Sequence, residues 1–295
     1  MVILSWRDFY ASDLQGLWGL LIAPALFLLR RTAMGRPRTD GTLPAGRAFV
    51  DAYAIAVAFE TMLDPIASGP LVRFLGFADH AGGTAVVLFF VLLGDLRVYL
   101  LIFALLALAH GRAWWTALPR AGLWTLLVPG LAYAANAALR ARVPELHHNS
   151  IWLVYELFFT VVAVGLCARV GAWVPAPAAP ALGGFLRGTL AYVAAYYALW
   201  AVADVLIQLL RLDVGWLLRV VPNQLYYALW VPFIYVRFFA RAGGAPLAPP
   251  AGPEVPRLGS PQPPGARRRR RAERRRAASR ARDTVRSVSS PLLVG

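Results

Sequence analysis

Glu60 and Asp64 lie four residues apart in "AFVDAYAIAVAFETMLDPIASG", Ala48 to Gly69, a stretch otherwise apolar enough to cross a membrane. An i, i+4 spacing puts both carboxylates on one helix face. Asp51, nine residues before Glu60, is turned about half a turn away at about 100° per residue and can reach back toward water. Other polar residues interrupt other apolar runs: Asp95, Asn136, Glu156, Asp204, Arg219, Asn223 and Gln224. A charge at the centre of a spanning helix costs about 2.5–3.5 kcal/mol on insertion scales. These groups are therefore expected to turn inward and converge at one depth. Converging carboxylates can carry a proton, ligate a cation, or serve as metal ligands or general acid and base.

Helical spacing sets hydrogen-bond donors in line with the acids. Tyr53 shares a face with Glu60 and Asp64, Trp152 and Thr160 with Glu156, Tyr197, Trp200 and Gln208 with Asp204, and Tyr227 and Trp230 with Arg219 and Asn223. Such bonds act equally well as glue between helices, at about 0.6 kcal/mol each on average. Glue alone leaves an excess, because Glu60, Asp64, Asp95, Glu156 and Asp204 stand against only two intramembrane cations, Arg97 and Arg219. Arg97, two residues from Asp95, faces nearly the opposite way. "PELHHNS", Pro144 to Ser150, adds His147 and His148, which with Glu156 form a candidate divalent-metal site, since imidazole and carboxylate suit zinc and similar ions. The plainer reading is a pair of solvated loop histidines, and Ser150 beside them fits no nucleophile triad.

The elements that must position these residues are long apolar helices. The chain has 295 residues, 59% hydrophobic and 15% charged, with a mean hydropathy of +0.56. A spanning helix needs about 20 mostly apolar residues, and seven windows qualify, roughly 14–30, 48–70, 84–109, 121–139, 150–172, 186–210 and 215–239. Continuous runs such as "AVVLFFVLLGDLRVYLLIFALLALA" contradict the alternating pattern of a membrane β-barrel. The expected fold is all-α, a polytopic bundle of about seven transmembrane helices over residues 1–240. Pro65 and Pro70 after Asp64, and Pro222 beside Asn223 and Gln224, are expected to kink or break their helices, which a membrane tolerates where the break is covered or lines a cavity.

All 30 basic residues are Arg, and without Lys no retinal Schiff base can form. No cofactor is otherwise indicated. Exclusion of Lys alongside abundant Ala, Gly, Pro and Arg points to a GC-rich, bacterial source. A single cysteine, Cys167, excludes an internal disulfide and reads as a small buried hydrophobe. The opening "MVILSWRDFYASD" lacks the pattern of a cleavable signal peptide. Arg30, Arg31, Arg36, Arg38 and Arg47 mark the first connection as cytoplasmic. Alternation then puts residues 111–120 and the C-terminus in the cytoplasm, and the N-terminus and residues 140–149 outside a plasma (inner) membrane.

Residues 241–295 carry 13 Arg against Glu254, Glu273 and Asp283, and their Pro-rich composition predicts a disordered cytoplasmic tail. Its run Arg267 to Arg276 is expected to meet anionic lipids of the bilayer. Nucleic acid is disfavoured, because no aromatics are interleaved for base stacking.

The ExxxD of Glu60 and Asp64 resembles the acid-rich motifs of membrane prenyltransferases. Those enzymes carry two such motifs near the cytoplasmic face, whereas this chain has one, directed outward, so it is not assigned to them. Walker, GxGxxG, HExxH and GxSxG motifs are absent. The expected function is binding or transport of a cation, proton or small polar solute in an acidic, aromatic-lined cavity open to the outside. Glu60, Asp64, Asp95, Glu156 and Asp204 would carry the charge, with Asn223 and Gln224 orienting. The alternatives are a membrane enzyme acting on a lipid or lipid-linked substrate, and a sensor or assembly protein.

Overall fold

A computed structural model describes residues 5–33, 44–77, 80–147 and 149–239. The chain divides into two units, Met1–Pro250 and Ala251–Gly295, and every described residue belongs to the first. The basic tail, with Arg267 to Arg276, and His148 lie outside the described residues.

The described residues are helical, without a strand. The helices are α1 (Trp6–Tyr10), α2 (Gly19–Ala33), α3 (Pro44–Ile66), α4 (Val72–Phe74), α5 (Ala81–Ala109), α6 (Leu118–Arg142), α7 (Ser150–Trp173), α8 (Ala179–Asp204), α9 (Val214–Asn223) and α10 (Trp230–Arg237). Six stretches are long and apolar enough to cross a membrane: Leu14–Ala33, Ala45–Phe74, Gly82–Ala109, Trp114–Arg142, Ser150–Trp173 and Ala181–Leu209. This is the make-up of a multi-pass membrane protein. The seventh window departs from expectation. It forms α9 and a widened turn, Gln224–Ala228, then breaks at Leu229 before α10, so neither helix alone has spanning length.

Prolines act by widening rather than ending their helices. Pro65 lies inside α3, which loosens into a wide turn at Ala67–Leu71 and continues as α4. Pro222 lies inside α9 just before the turn at Gln224–Ala228, and α8 loosens in the same way at Val205–Leu209, immediately after Asp204. Wide turns of this kind recur at functional sites, because they displace backbone groups from the regular ladder.

α5 runs through the middle. Its residues Val98, Tyr99 and Leu101 to Leu106 are all buried, so it has no lipid-facing side along this stretch. Around it α3 packs on α2 and α5, α6 on α5 and α7, and α7 on α8. α8 then meets α9, and the Gln224–Ala228 turn closes back on α2. Outward faces are apolar, with Leu29 66% and Val161 71% exposed, while Asp95 is 0% exposed. Large bare apolar faces around a polar interior are what a lipid surround permits and water would not. Cys167 corrects the expectation of full burial: it is half-exposed, its thiol 3.4 Å from the Arg187 carbonyl.

Candidate functional site

Inside the bundle the acids gather in three polar groups, and each holds a different kind of partner. The first joins α3 to α5. Glu60 Oε2 receives Arg97 Nη1 at 3.1 Å, and Arg97 Nη2 donates at 2.8 Å to the carbonyl of Tyr226, in the widened turn of the last segment. The guanidinium also lies 4.0 Å from the Tyr226 ring centroid and 5.6 Å from that of Trp230. Tyr53, in line with Glu60, donates to the Arg97 carbonyl at 2.9 Å and accepts from Trp230 Nε1 at 3.2 Å. Glu60 Oε1 and Arg97 Nε have no hydrogen-bond partner although both are buried. One turn along, Asp64 accepts from Ser68 at 2.8 Å and from Tyr227.

The second group is Asp95 and two phenols. Tyr155 of α7 donates to Oδ2 at 2.5 Å and Tyr197 of α8 to Oδ1 at 2.7 Å. Tyr197 is held by stacking on Phe159, with centroids 4.1 Å apart. Among the described residues no cation forms an ion pair with this carboxylate, although Arg97 is near enough to act on it through space.

The third group ties α7, α8 and α9 through one cation. Arg219 forms a close ion pair with Asp204 and approaches Glu156 at 3.5 Å. Gln208, in the wide turn after Asp204, donates to Asp204 at 2.9 Å. Glu156 Oε2 is buried without a partner. Asn223 lies beside this group, accepting from Trp200 Nε1 at 2.8 Å and donating to Tyr10 at 3.2 Å. Gln224 turns instead toward α2, its amide set against Gly19.

The structure therefore brings Glu156 and Asp204 together but parts them from Glu60 and Asp95. Rings of Tyr196, Trp200 and Tyr226 pack on one another at 5.2–5.6 Å, with Tyr226 against Arg97 of the first group and Trp200 bonded to Asn223 beside the third. Asp51 does not reach for water but forms a two-pronged pair with Arg31 at 2.6 Å on both oxygens. Asn136 serves a structural contact, accepting from Ser150 across α6 and α7 at 2.8 Å.

His147 Nδ1 accepts from the Asn149 N–H at 3.2 Å. Among the described residues no group of three or more His, Cys, Asp or Glu is placed to hold a metal. The expected His147–His148 site rests on His148, outside those residues.

A cavity reaches Glu60. It is a groove of about 860 Å³ between α3 and α5, walled by Ala48, Ala52, Leu96 and Leu100, and Glu60 and Arg97 form its inner end. It opens at the end of the bundle where Arg112, Trp114 and Trp115 lie.

Sequence reasoning missed Tyr155, which neighbours Glu156 but faces Asp95, and it missed the pairing of Arg97 with Glu60. The signal for the second was present: Arg97 faces away from Asp95, and Glu60 is the mid-depth acid of a neighbouring span.

No known protein family, curated protein or solved structure matches this chain.

Proposed function

We propose that the chain is a seven-span bundle of a bacterial plasma membrane that binds and transfers a proton or small cation through its buried acids. The observation that carries this is the third group, where Glu156 and Asp204 share the guanidinium of Arg219, with His147 also close enough to act on Asp204, and Glu156 Oε2 is buried without a hydrogen-bond partner among the described residues. Two carboxylates on one buried cation leave a charge that the low-dielectric interior rejects unless a proton or a second cation neutralises it. Asp95, bound only by phenols, makes the same demand.

In this reading α9, its wide turn and α10 form the seventh span. The wide turn beside Asp204 and the one beside Asn223 supply backbone slack for exchange. The orientation follows the Arg-rich connections, with residues 111–120 cytoplasmic. The N-terminus is outside, which agrees with α1 being held at the 211–213 end, where Asp213 accepts the Trp6 N–H at 2.8 Å. The basic residues beyond 240 form a separate cytoplasmic segment.

Proteoliposomes carrying an internal pH dye test the function. Wild-type protein should carry proton or cation flux under an imposed gradient, and Glu156→Gln and Asp204→Asn should each abolish most of it. Wild-type flux no greater than that of empty liposomes would sink the reading. The enzyme alternative is favoured by one observation, the groove that delivers an apolar chain to Glu60. In that case Glu60→Gln would stop turnover of a lipid substrate with flux absent in both forms.

A further inference from the structure

The end of the bundle bearing residues 110–120 holds a second cavity, and it differs in kind from the groove beside it. The groove is apolar. The second cavity, about 410 Å³, is lined by His110, Arg112, Thr116, Arg120 and Trp173, with no carboxylate among its lining residues. Arg112 belongs to both, so the two spaces meet at one residue.

Local structure explains why Arg112 stands there. α5 ends in a Gly-dependent cap. Gly111 takes φ 69°, Arg112 N–H donates to the Ala107 carbonyl at 2.9 Å, and Gly111 N–H donates to that of Leu108 at 3.0 Å. The cap fixes the Arg112 backbone at the rim and leaves its side chain without an ion-pair partner among the described residues. Arg120 is held by rings rather than acids, 4.4 Å from the Phe103 centroid and 5.3 Å from that of Trp173. His110 donates from Nδ1 to the Leu106 carbonyl at 2.8 Å, which fixes its ring in the wall of the cavity. Two guanidinia without a carboxylate among the lining residues form a site for an anion that brings its own charge.

We propose that these spaces form one binding site for an anionic glycerophospholipid, its phosphate over Arg112 and Arg120 and one acyl chain along the groove toward Glu60. Three features select a lipid over a free anion. The basic cavity adjoins an apolar slot at Arg112, which lines both. The wall of that slot is a row of small residues, Ala45, Ala48, Ala52 and Ala56, that lets a chain lie against the backbone. Trp114 and Trp115 stand exposed at the same rim, as aromatics do at a membrane interface. By the Arg distribution this end is cytoplasmic, the leaflet in which basic clefts between helices meet anionic head groups. The bilayer already solvates an acyl chain as well as protein does, so preference among lipids arises at the head group, while the groove sets where the lipid sits. The head-group end of this site is separate from Glu156, Asp204 and Asp95, on which the proposed transfer function rests, and the site does not depend on that function.

Native mass spectrometry of the full chain, stripped of lipid in detergent and titrated with dioleoyl phosphatidylglycerol or dioleoyl phosphatidylcholine, tests the proposal. Wild type should prefer the anionic lipid at least tenfold, about 1.4 kcal/mol. Arg112→Gln with Arg120→Gln should erase the preference. Ala52→Trp, which fills the slot, should lower occupancy of the tight site by a similar factor. It also separates this site from lipid held by the basic tail, which the groove variant leaves untouched. Millimolar inorganic phosphate should not displace the lipid. No preference in wild type, an undiminished preference in the double variant, an undiminished occupancy of the tight site in Ala52→Trp, or displacement by phosphate would each overturn the proposal. If the double variant unfolds in detergent, Arg112→Gln alone replaces it and should cost at least threefold, because that side chain has no ion-pair partner among the described residues to lose.

Discussion

Asp95 and Arg97 stand two residues apart on α5 and bond in opposite directions. At about 100° per residue they lie about 200° apart. Asp95 takes hydrogen bonds from Tyr155 and Tyr197, on α7 and α8, while Arg97 pairs with Glu60 on α3 and with the Tyr226 carbonyl. The central helix thus carries both signs of charge without neutralising either on itself, and it ties the two sides of the bundle together.

Removing one partner of the Arg97–Glu60 pair should cost more than removing both. Arg97→Gln strands Glu60 in the interior, and breaking a buried pair from one side costs roughly 3–5 kcal/mol. The double variant Glu60→Gln, Arg97→Gln should be less destabilised than the sum of the two single ones. Reversible unfolding in mixed micelles measures the cycle, and strictly additive effects would mean that the two groups do not interact.

Asp95 depends on its two phenols. Tyr155→Phe and Tyr197→Phe should each lower stability by about 0.6–1.7 kcal/mol, the range of interhelical hydrogen bonds in membranes. Together they should lose more than the sum, because the second loss leaves a buried carboxylate with no donor. A double variant as stable as either single one would show that water or another donor replaces them.

Gly94 is where a side chain cannot be added. A Cβ there would run into the Tyr226 phenol, which is itself buried beneath Arg97. Gly94→Ala should destabilise by about 1–3 kcal/mol, as overpacking does. Gly130 has open space around the same position, and Gly130→Ala should be neutral or stabilise by up to about 1 kcal/mol. The pair is read by unfolding temperature in one detergent, and equal effects would contradict the close approach.

Topology can be checked with the only native thiol removed. In a Cys167→Ser background, single cysteines at Ala113 and Asn149 should be labelled from opposite sides of the membrane by an impermeant maleimide. They terminate opposite ends of α6, so labelling from one side would mean that this helix does not cross.

Deleting residues 245–295 should leave the bundle folded, because the contacts described above are all made among residues 5–239. Thermal stability of the truncation in the same detergent as the full chain tests this, and a large drop would show that the tail packs against the bundle.

Helix positions were legible because long apolar runs leave few alternatives. The windows 84–109 and 150–172 correspond closely to α5 and α7, Ala81–Ala109 and Ser150–Trp173. The faces were legible too: Gln208 lies with Asp204, and Tyr53 turns to the same side as Glu60, where it meets the backbone of Arg97, whereas Tyr227, expected in line with Arg219 and Asn223, bonds to Asp64 on another helix. The inward turn of the acids followed from the cost of charge in lipid. Spacing along one helix, however, says which way a residue points and not what it meets. Whether Glu60 would meet Arg97, 37 residues on, or Asp95 would meet Tyr155, 60 residues on, depended on the order of helices around α5 and on their rotation. The break at Leu229 within one apolar window, and the parting of five acids into three groups, belong to the same class. Both depend on packing between helices, where bulky rings such as Tyr196, Trp200 and Tyr226 compete with polar side chains for interior volume. Local periodicity carries no record of that competition for volume, and only the assembled bundle resolves it.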